Sequence, residues 1–290
     1  MIDYSNYEQS LLAYGGLACN KIGLVKDDVY YMVKFPCNVC SLSNNVNDVV
    51  SEYVASKVVS FYMPAHEVDI GLYKGKICAV CTDFAGDVGK LLRYSELKTT
   101  LVDPIVDKFG RISNGLSPEM EDIDYTLHNN IAAKRVERVN ESFWRMFILD
   151  ALNGNPDRNN GNWGLLLKNN AISFSPVYDN GSALNYRWTD EKLKTVMADK
   201  EQMKTVAYHG IVCFFQHGAK KINPYQYMES GASEYLKQEL LKLDFSDDMY
   251  ARICAIVDQV EVISETRKDF YKELYRMRFK KMRELQLKFL

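Results

Sequence analysis

No stretch of the chain approaches the roughly 18 consecutive apolar residues that cross a bilayer. The opening residues, MIDYSNYEQS, lack the basic start and apolar core of a secretory leader, so a cytoplasmic location is the default expectation. Charge of one sign is also lacking. The 36 Lys and Arg face 38 Asp and Glu, a formal net charge of −2, which excludes a general basic coat for nucleic acid. Histidine is scarce: His66, His128, His209 and His217 are scattered without ligand spacing, which points to structural or surface roles. The seven cysteines form an odd set, and with no leader they read as reduced thiols. Cys37-x-x-Cys40 and Cys78-x-x-Cys81 have the spacing of a zinc site. Cys78 and Cys81, however, lie in an apolar strand, where residues three apart face opposite sides. Small buried thiols are the better account. There is no internal repeat and no low-complexity tract.

What remains is an ordinary globular composition, 47% hydrophobic and 26% charged over 290 residues. A chain of this length buries about 75% of its unfolded surface and needs no metal or disulfide staple. Residues 22–25 and 29–35 read as strands joined at Lys26-Asp27-Asp28, and Pro36 stops the second. Asn45 to Tyr62 reads as a helix with Val49, Tyr53, Val54, Val58 and Phe61 on one face. Strands at 67–73 and 76–82 join at Lys74-Gly75, and Ala85-Gly86-Asp87 looks like a joint. A polar stretch at 100–120 precedes helical periodicity from about 129 to 153, carried by Ile131, Val136, Val139, Phe143, Phe147 and Leu152. A hairpin at 164–167 and 171–178 turns at Lys168-Asn169-Asn170, and mostly helical sequence follows. The expected architecture is α+β and bilobal: a small β-rich lobe over 1–85 and a larger helical lobe over 86–290.

The chemistry concentrates in Asn153-Gly-Asn-Pro-Asp-Arg-Asn-Asn-Gly-Asn-Trp-Gly164, between a helix and a hairpin. It sets Asp157 five residues before Asn162, and Asp179 follows the hairpin in Tyr178-Asp179-Asn180-Gly181. Phosphoryl transfer needs this set: one carboxylate to orient a hydroxyl, and an amide oxygen and a second carboxylate to hold Mg²⁺ against phosphates. Such loops also arise because Asn and Asp bond their own backbone in turns, so agreement from the other lobe matters. Lys34 sits inside a strand that otherwise reads as buried, where an ammonium is costly unless paired, and Glu52 follows eighteen residues later on the helix. A strand Lys on the phosphates, steadied by a helix Glu, is the other half of such a site. Gly15-Gly16-Leu17-Ala18-Cys19-Asn20-Lys21 precedes the first of these strands and offers small residues plus a cation for phosphate.

With these residues in order, the chain resembles the HipA-like serine/threonine kinases. The resemblance rests on the Gly16–Lys21 loop, Lys34, Asn155-Pro-Asp157-Arg-Asn159-Asn-Gly-Asn162 and Tyr178-Asp179, and is strongest over 140–185. It implies a bilobal protein-kinase-like fold, with Asp157 as catalytic base and Asn162 and Asp179 as Mg²⁺ ligands. It implies an ATP site that includes Gly16, Lys21, Lys34, Glu52, Asn159 and Tyr178. The hinge Cys81-Thr82-Asp83-Phe84 would meet adenine through backbone groups. Asn159 stands where the family carries His. The short form, starting directly at the small lobe, resembles cell-translocating members, which keeps non-classical export open. It lacks the N-terminal region of many HipA toxins, so no antitoxin partner is expected.

The expected activity is ATP- and Mg²⁺-dependent phosphorylation of protein Ser or Thr hydroxyls, autophosphorylation included. Asn-Pro-Asp-Arg also resembles the catalytic loop of phosphatidylinositol kinases, so a lipid kinase is the enzymatic rival. A non-catalytic nucleotide- or nucleic-acid-binding module is the other. From Arg267 to Lys288 the last segment (266–290) holds nine Lys and Arg against three acids, with an apolar stripe through Tyr271, Tyr275, Phe279, Met282, Leu285 and Phe289. A closing helix packed on the large lobe explains the stripe better than nucleic-acid or membrane-surface contact does.

Overall fold

The computed structural model describes residues 1–15, 20–37, 45–106, 110–218 and 220–290. Gly16, Leu17, Ala18, Cys19 and Cys40 lie outside the described residues. The chain begins with β1 (Ile2–Asp3), β2 (Glu8–Gln9), β3 (Lys21–Lys26), β4 (Val29–Lys34), α1 (Asn47–Ser60), β5 (Val68–Tyr73) and β6 (Lys76–Thr82). These strands form one sheet in the order β1-β5-β6-β4-β3-β2. Asp27 and Asp28 (φ 50 and 59°) and Lys74 and Gly75 (φ 50 and 75°) make two-residue turns with both central residues left-handed. That backbone matches the right-handed twist of the strands it connects.

One face of the sheet buries Tyr4, Leu24, Val33, Tyr73, Cys78 and Val80, and the other sets Val68, Ala79 and Cys81 against Val49 of α1. Cys78 and Cys81 therefore sit on opposite faces of β6, as the period-2 geometry of a strand requires. The opposite side of α1, with Val50, Val54, Val58 and Val59, enters the main core of the helical lobe. This helix is buried on both sides, which is why its apolar positions exceed a single stripe.

The second lobe starts with β7 (Lys90–Arg93), α2 (Tyr94–Thr99), α3 (Met120–Asn129), α4 (Val139–Asn153), β8 (Gly164–Lys168) and β9 (Ala171–Phe174). It continues with α5 (Asp190–Met197), α6 (Lys200–Lys204), a π-turn at Thr205–His209, β10 (Gln216–His217), β11 (Lys220–Lys221), α7 (Pro224–Ser230), α8 (Glu234–Lys242), α9 (Asp247–Asp258) and α10 (Glu265–Phe289). Strand β7 adds to the β8–β9 hairpin, which turns through Asn169 and Asn170 (φ 52 and 59°).

Two boundaries differ from the sequence expectation. The periodicity over 129–153 is a 3-10 turn at Ala133–Arg135 followed by α4 from Val139, because the Asn130 carboxamide oxygen accepts from Ala132 N and Ala133 N and competes with the helical ladder. Ile131 is consequently 72% exposed rather than core. The strand at 171–178 stops at Phe174: Pro176 has no N–H to offer a ladder, and Val177 makes only an isolated bridge to Ala65. The short strands β1, β2 and β7 carried too little pattern to be read.

Candidate active site

Lys34 ends β4 on the face toward α1, and its ammonium meets two carboxylates at once. Nζ lies 2.7 Å from Glu52 Oε2 and 2.7 Å from Asp179 Oδ1. Lys34 and Glu52 are 7% and 2% exposed, so this is a buried triangle joining the sheet, α1 and the segment after β9. Burial works against the Lys34 charge, but Glu52 and Asp179 hold its pKa well above the ordinary value. Lys34 in turn pulls Asp179 below the usual carboxylate range. Burial would raise Glu52, yet Lys34 and His66 hold it low as well. The other Glu52 oxygen accepts from Asn180 N (2.8 Å) and lies 2.9 Å from His66 Nε2, whose ring also meets Ser56 Oγ. Glu52 is thus held from three sides.

The loop from Asn155 to Asn162 is held mostly by its own carboxamides. Asp157 N donates to Asn155 Oδ1 (3.1 Å), and Asn162 Nδ2 donates to the Asp157 carbonyl (2.9 Å). Asn159 Nδ2 donates to Asp157 Oδ1 (3.2 Å), while its Oδ1 accepts from Gly161 N. Asn159, where the resembling family has His, therefore holds the Asp157 carboxylate in place. Asp179 has φ 58°, a left-handed turn that Asp tolerates better than most residues. Lys21 pairs with Lys34 in register, so both cationic side chains leave the sheet on one face. A cavity of about 310 Å³ between the lobes is bordered by Lys21, Lys34, Asp157, Asn159, Asn162 and Asp179, with Glu52 behind.

Three distant stretches are thus brought to one cavity. Thr82, Asp83, Phe84 and Tyr178 are not among its lining residues. Asp83 N donates to the Tyr30 carbonyl, its carboxylate accepts from Tyr14 OH (2.7 Å), and the Phe84 carbonyl accepts from Lys168 Nζ (2.9 Å). The Tyr178 hydroxyl donates to the Gly161 carbonyl (2.8 Å), and its ring lies 5.8 Å from that of Phe84. Gly16 is outside the described residues.

Arg158 is the residue that sequence reasoning passed over. It is 1% exposed, and its guanidinium takes both Asp150 oxygens at 2.8 Å. It also donates to the carbonyls of Asn162 and Tyr178 and to Asn180 Oδ1. One side chain therefore ties α4, the Asn155–Asn162 loop and the Tyr178–Asn180 turn together. The only signal in the sequence was an Arg beside Asp157, and nothing in its spacing said that it points inward. His66, read as structural or surface, is structural: it is buried against Glu52 and Ser56.

The last helix supports this loop from behind. Arg278, 1% exposed, has no carboxylate partner among the described residues. It donates to the carbonyls of Leu152 and Ala207, at the ends of α4 and the π-turn, where helix carbonyls lack partners. Tyr275 OH donates to Asn153 Oδ1 (2.7 Å). The apolar stripe of α10, Tyr271, Tyr275, Phe279, Met282 and Leu285, is buried in the core, so α10 is a closing helix.

No family profile matches the chain. The serine/threonine-protein kinase CtkA of Helicobacter pylori is 31% identical over 265 residues, covering 89% of this chain and 78% of that protein. The crystal structure of a proinflammatory kinase CtkA from Helicobacter pylori superposes with a TM-score of 0.87 at 27% identity, over 99% of this chain and 97% of that one. A HipA–HipB–operator DNA complex of Shewanella oneidensis aligns with 88% of this chain and 58% of that one, at 13% identity and a TM-score of 0.46, too low to argue from. The α+β, kinase-like fold and the enzyme class agree with what the sequence resemblance implied. The chain belongs to the CtkA family of serine/threonine protein kinases.

Proposed function

We propose that this kinase transfers the γ-phosphoryl group of ATP to Ser or Thr hydroxyls of protein, its own chain included, with Mg²⁺ at the Asp179–Asn162 side of the cavity. The observation that carries the reading is the convergence of Lys34, Asp179, Asn162 and Asp157 on one cavity. The donor set fits magnesium. Asn162 Oδ1 and Asp179 Oδ2 accept no hydrogen bond among the described residues, and hard oxygens are what this ion selects. Among the described residues no group of three His, Cys, Asp or Glu side chains could hold a metal alone, so phosphate oxygens and water would complete the shell. Bound there, the ion neutralises phosphate charge.

The protein's own part is positioning and charge. Lys34, steadied by Glu52, and Lys21 beside it set cations on one face for the phosphates. Asp157, aligned by Asn159, accepts or orients the proton of the acceptor hydroxyl. Asn159 thus acts on the base rather than on the nucleotide. The hinge residues Thr82, Asp83 and Phe84, together with Gly16 of the small-residue loop, complete the nucleotide site, and Tyr178 braces the loop. We place the lobe boundary at 85/86, after which β7 joins the sheet of the second lobe. No described helix is long and apolar enough to cross a membrane. Incubation with γ-labelled ATP and Mg²⁺ tests the reading: wild type incorporates label into protein, while Asp157→Asn and Asp179→Asn lose it by about 10²-fold or more. Equal incorporation in all three overturns the assignment, and label passing only to inositide vesicles overturns the protein acceptor.

A further inference from the structure

A second cavity, of about 410 Å³, lies on the helical lobe, formed by α5, α6 and the π-turn on one side and α10 on the other. Its floor is soft and apolar: Met203 is buried, Met197 and Met277 are half-buried, and Tyr208 closes one end. Methionine is unbranched and polarisable, so such a floor accepts apolar side chains of varied shape. The rim is cationic on balance: Lys200, Lys204, Arg276, Lys280 and Lys281 line it with Glu273 and Glu284. Lys204 and Arg276 are neutralised by Glu201 and Glu273, each at 2.6 Å. Lys200 and Lys280, one from each wall, are exposed and make no ion pair among the described residues. Glu284 is exposed on the same rim and also makes no ion pair among the described residues, so the uncommitted groups are two ammoniums and one carboxylate over an apolar floor.

We propose that this groove is a docking site for an acidic, amphipathic polypeptide segment, its carboxylates paired with Lys200 and Lys280 and its apolar side chains seated on the methionines. Nucleic acid fits less well: the groove offers one aromatic ring, where single-strand binding uses repeated stacking platforms. A membrane surface also fits less well, because the apolar groups lie at the bottom of a concavity and the cations stand above them, whereas interfacial helices present their apolar face outward. The groove has no residue in common with the nucleotide cavity, so docking there is separable from phosphoryl transfer.

The test uses the full chain and a fluorescein-labelled peptide of Glu with Leu and Phe at helical spacing, followed by fluorescence anisotropy. The peptide binds wild type, and the same peptide with Lys in place of Glu does not. Lys200→Glu with Lys280→Glu weakens binding by about ten-fold or more, and Met277→Gln weakens it independently through the floor. Both variants retain wild-type autophosphorylation and circular dichroism. Peptide affinity unchanged by both variants overturns the proposal. So does tighter, groove-dependent binding of single-stranded DNA or of phosphatidylserine vesicles.

Discussion

Two buried ionic clusters adjoin at the Tyr178–Asn180 turn, and they are finished differently. Around Arg158, both Asp150 oxygens, two backbone carbonyls and the Asn180 carboxamide are all engaged, and nothing faces solvent. Around Lys34, one Asp179 oxygen is bound, and the carboxylate is 37% exposed where it borders the cavity. A closed cluster is a scaffold: it fixes where backbone segments run. A cluster left with an unused oxygen at a cavity wall is a site, because a ligand can complete it. The same charge types thus serve geometry in one place and chemistry a few ångströms along the loop.

Removing the scaffold cation is the largest way to break this contrast. Arg158→Met leaves Asp150 buried and uncompensated, which costs about 3–5 kcal/mol of unfolding free energy. Urea denaturation reads it as a lower midpoint with an unchanged slope. Lys34→Met sharpens the contrast from the other side. Phosphate transfer falls by about 10²–10³-fold. Unfolding free energy drops by only about 1–3 kcal/mol, because Asn180 N and His66 still hold Glu52. Equal stability losses in the two variants would erase the distinction.

Gly154→Ala probes the buttress behind the loop. The residue sits at φ 65°, and an added Cβ would stand 2.5 Å from the Arg278 guanidinium. The expected cost is about 1–3 kcal/mol, read as a lower thermal midpoint, with kcat falling more than the affinity for nucleotide.

The smallest effect is a pH slope. Glu52 and Asp179 are held below their ordinary values of 4.5 and 3.8, so the unfolded chain binds protons first as pH falls. Their contribution is complete above about pH 5 and declines as acid titrates through the lowered values. Glu52→Gln removes part of that slope, which denaturation at pH 4 against pH 6 measures.

The paired strands and their turns were readable because Asp27-Asp28, Lys74-Gly75 and Asn169-Asn170 are local: two left-handed residues decide each hairpin. The Lys34–Glu52 pair was readable because an ammonium in an apolar strand demands a partner. Ile131 misled because periodicity counts only side-chain type, while the Asn130 carboxamide redirected the backbone. Arg158 and Arg278 stayed silent because an inward-pointing arginine has the same letter as a solvated one.

Amino-acid order alone therefore determined the strand–helix alternation, the burial of α1 and the spacing of Asp157, Asn162 and Asp179, since each follows from short-range sterics and the cost of burying charge. Only the tertiary structure decided which polar groups face each other. Whether Arg158 closes a scaffold, Lys34 meets both Glu52 and Asp179, or Lys200 and Lys280 line one groove depends on contacts between segments far apart in sequence, and electrostatic energy follows distance and desolvation rather than residue type.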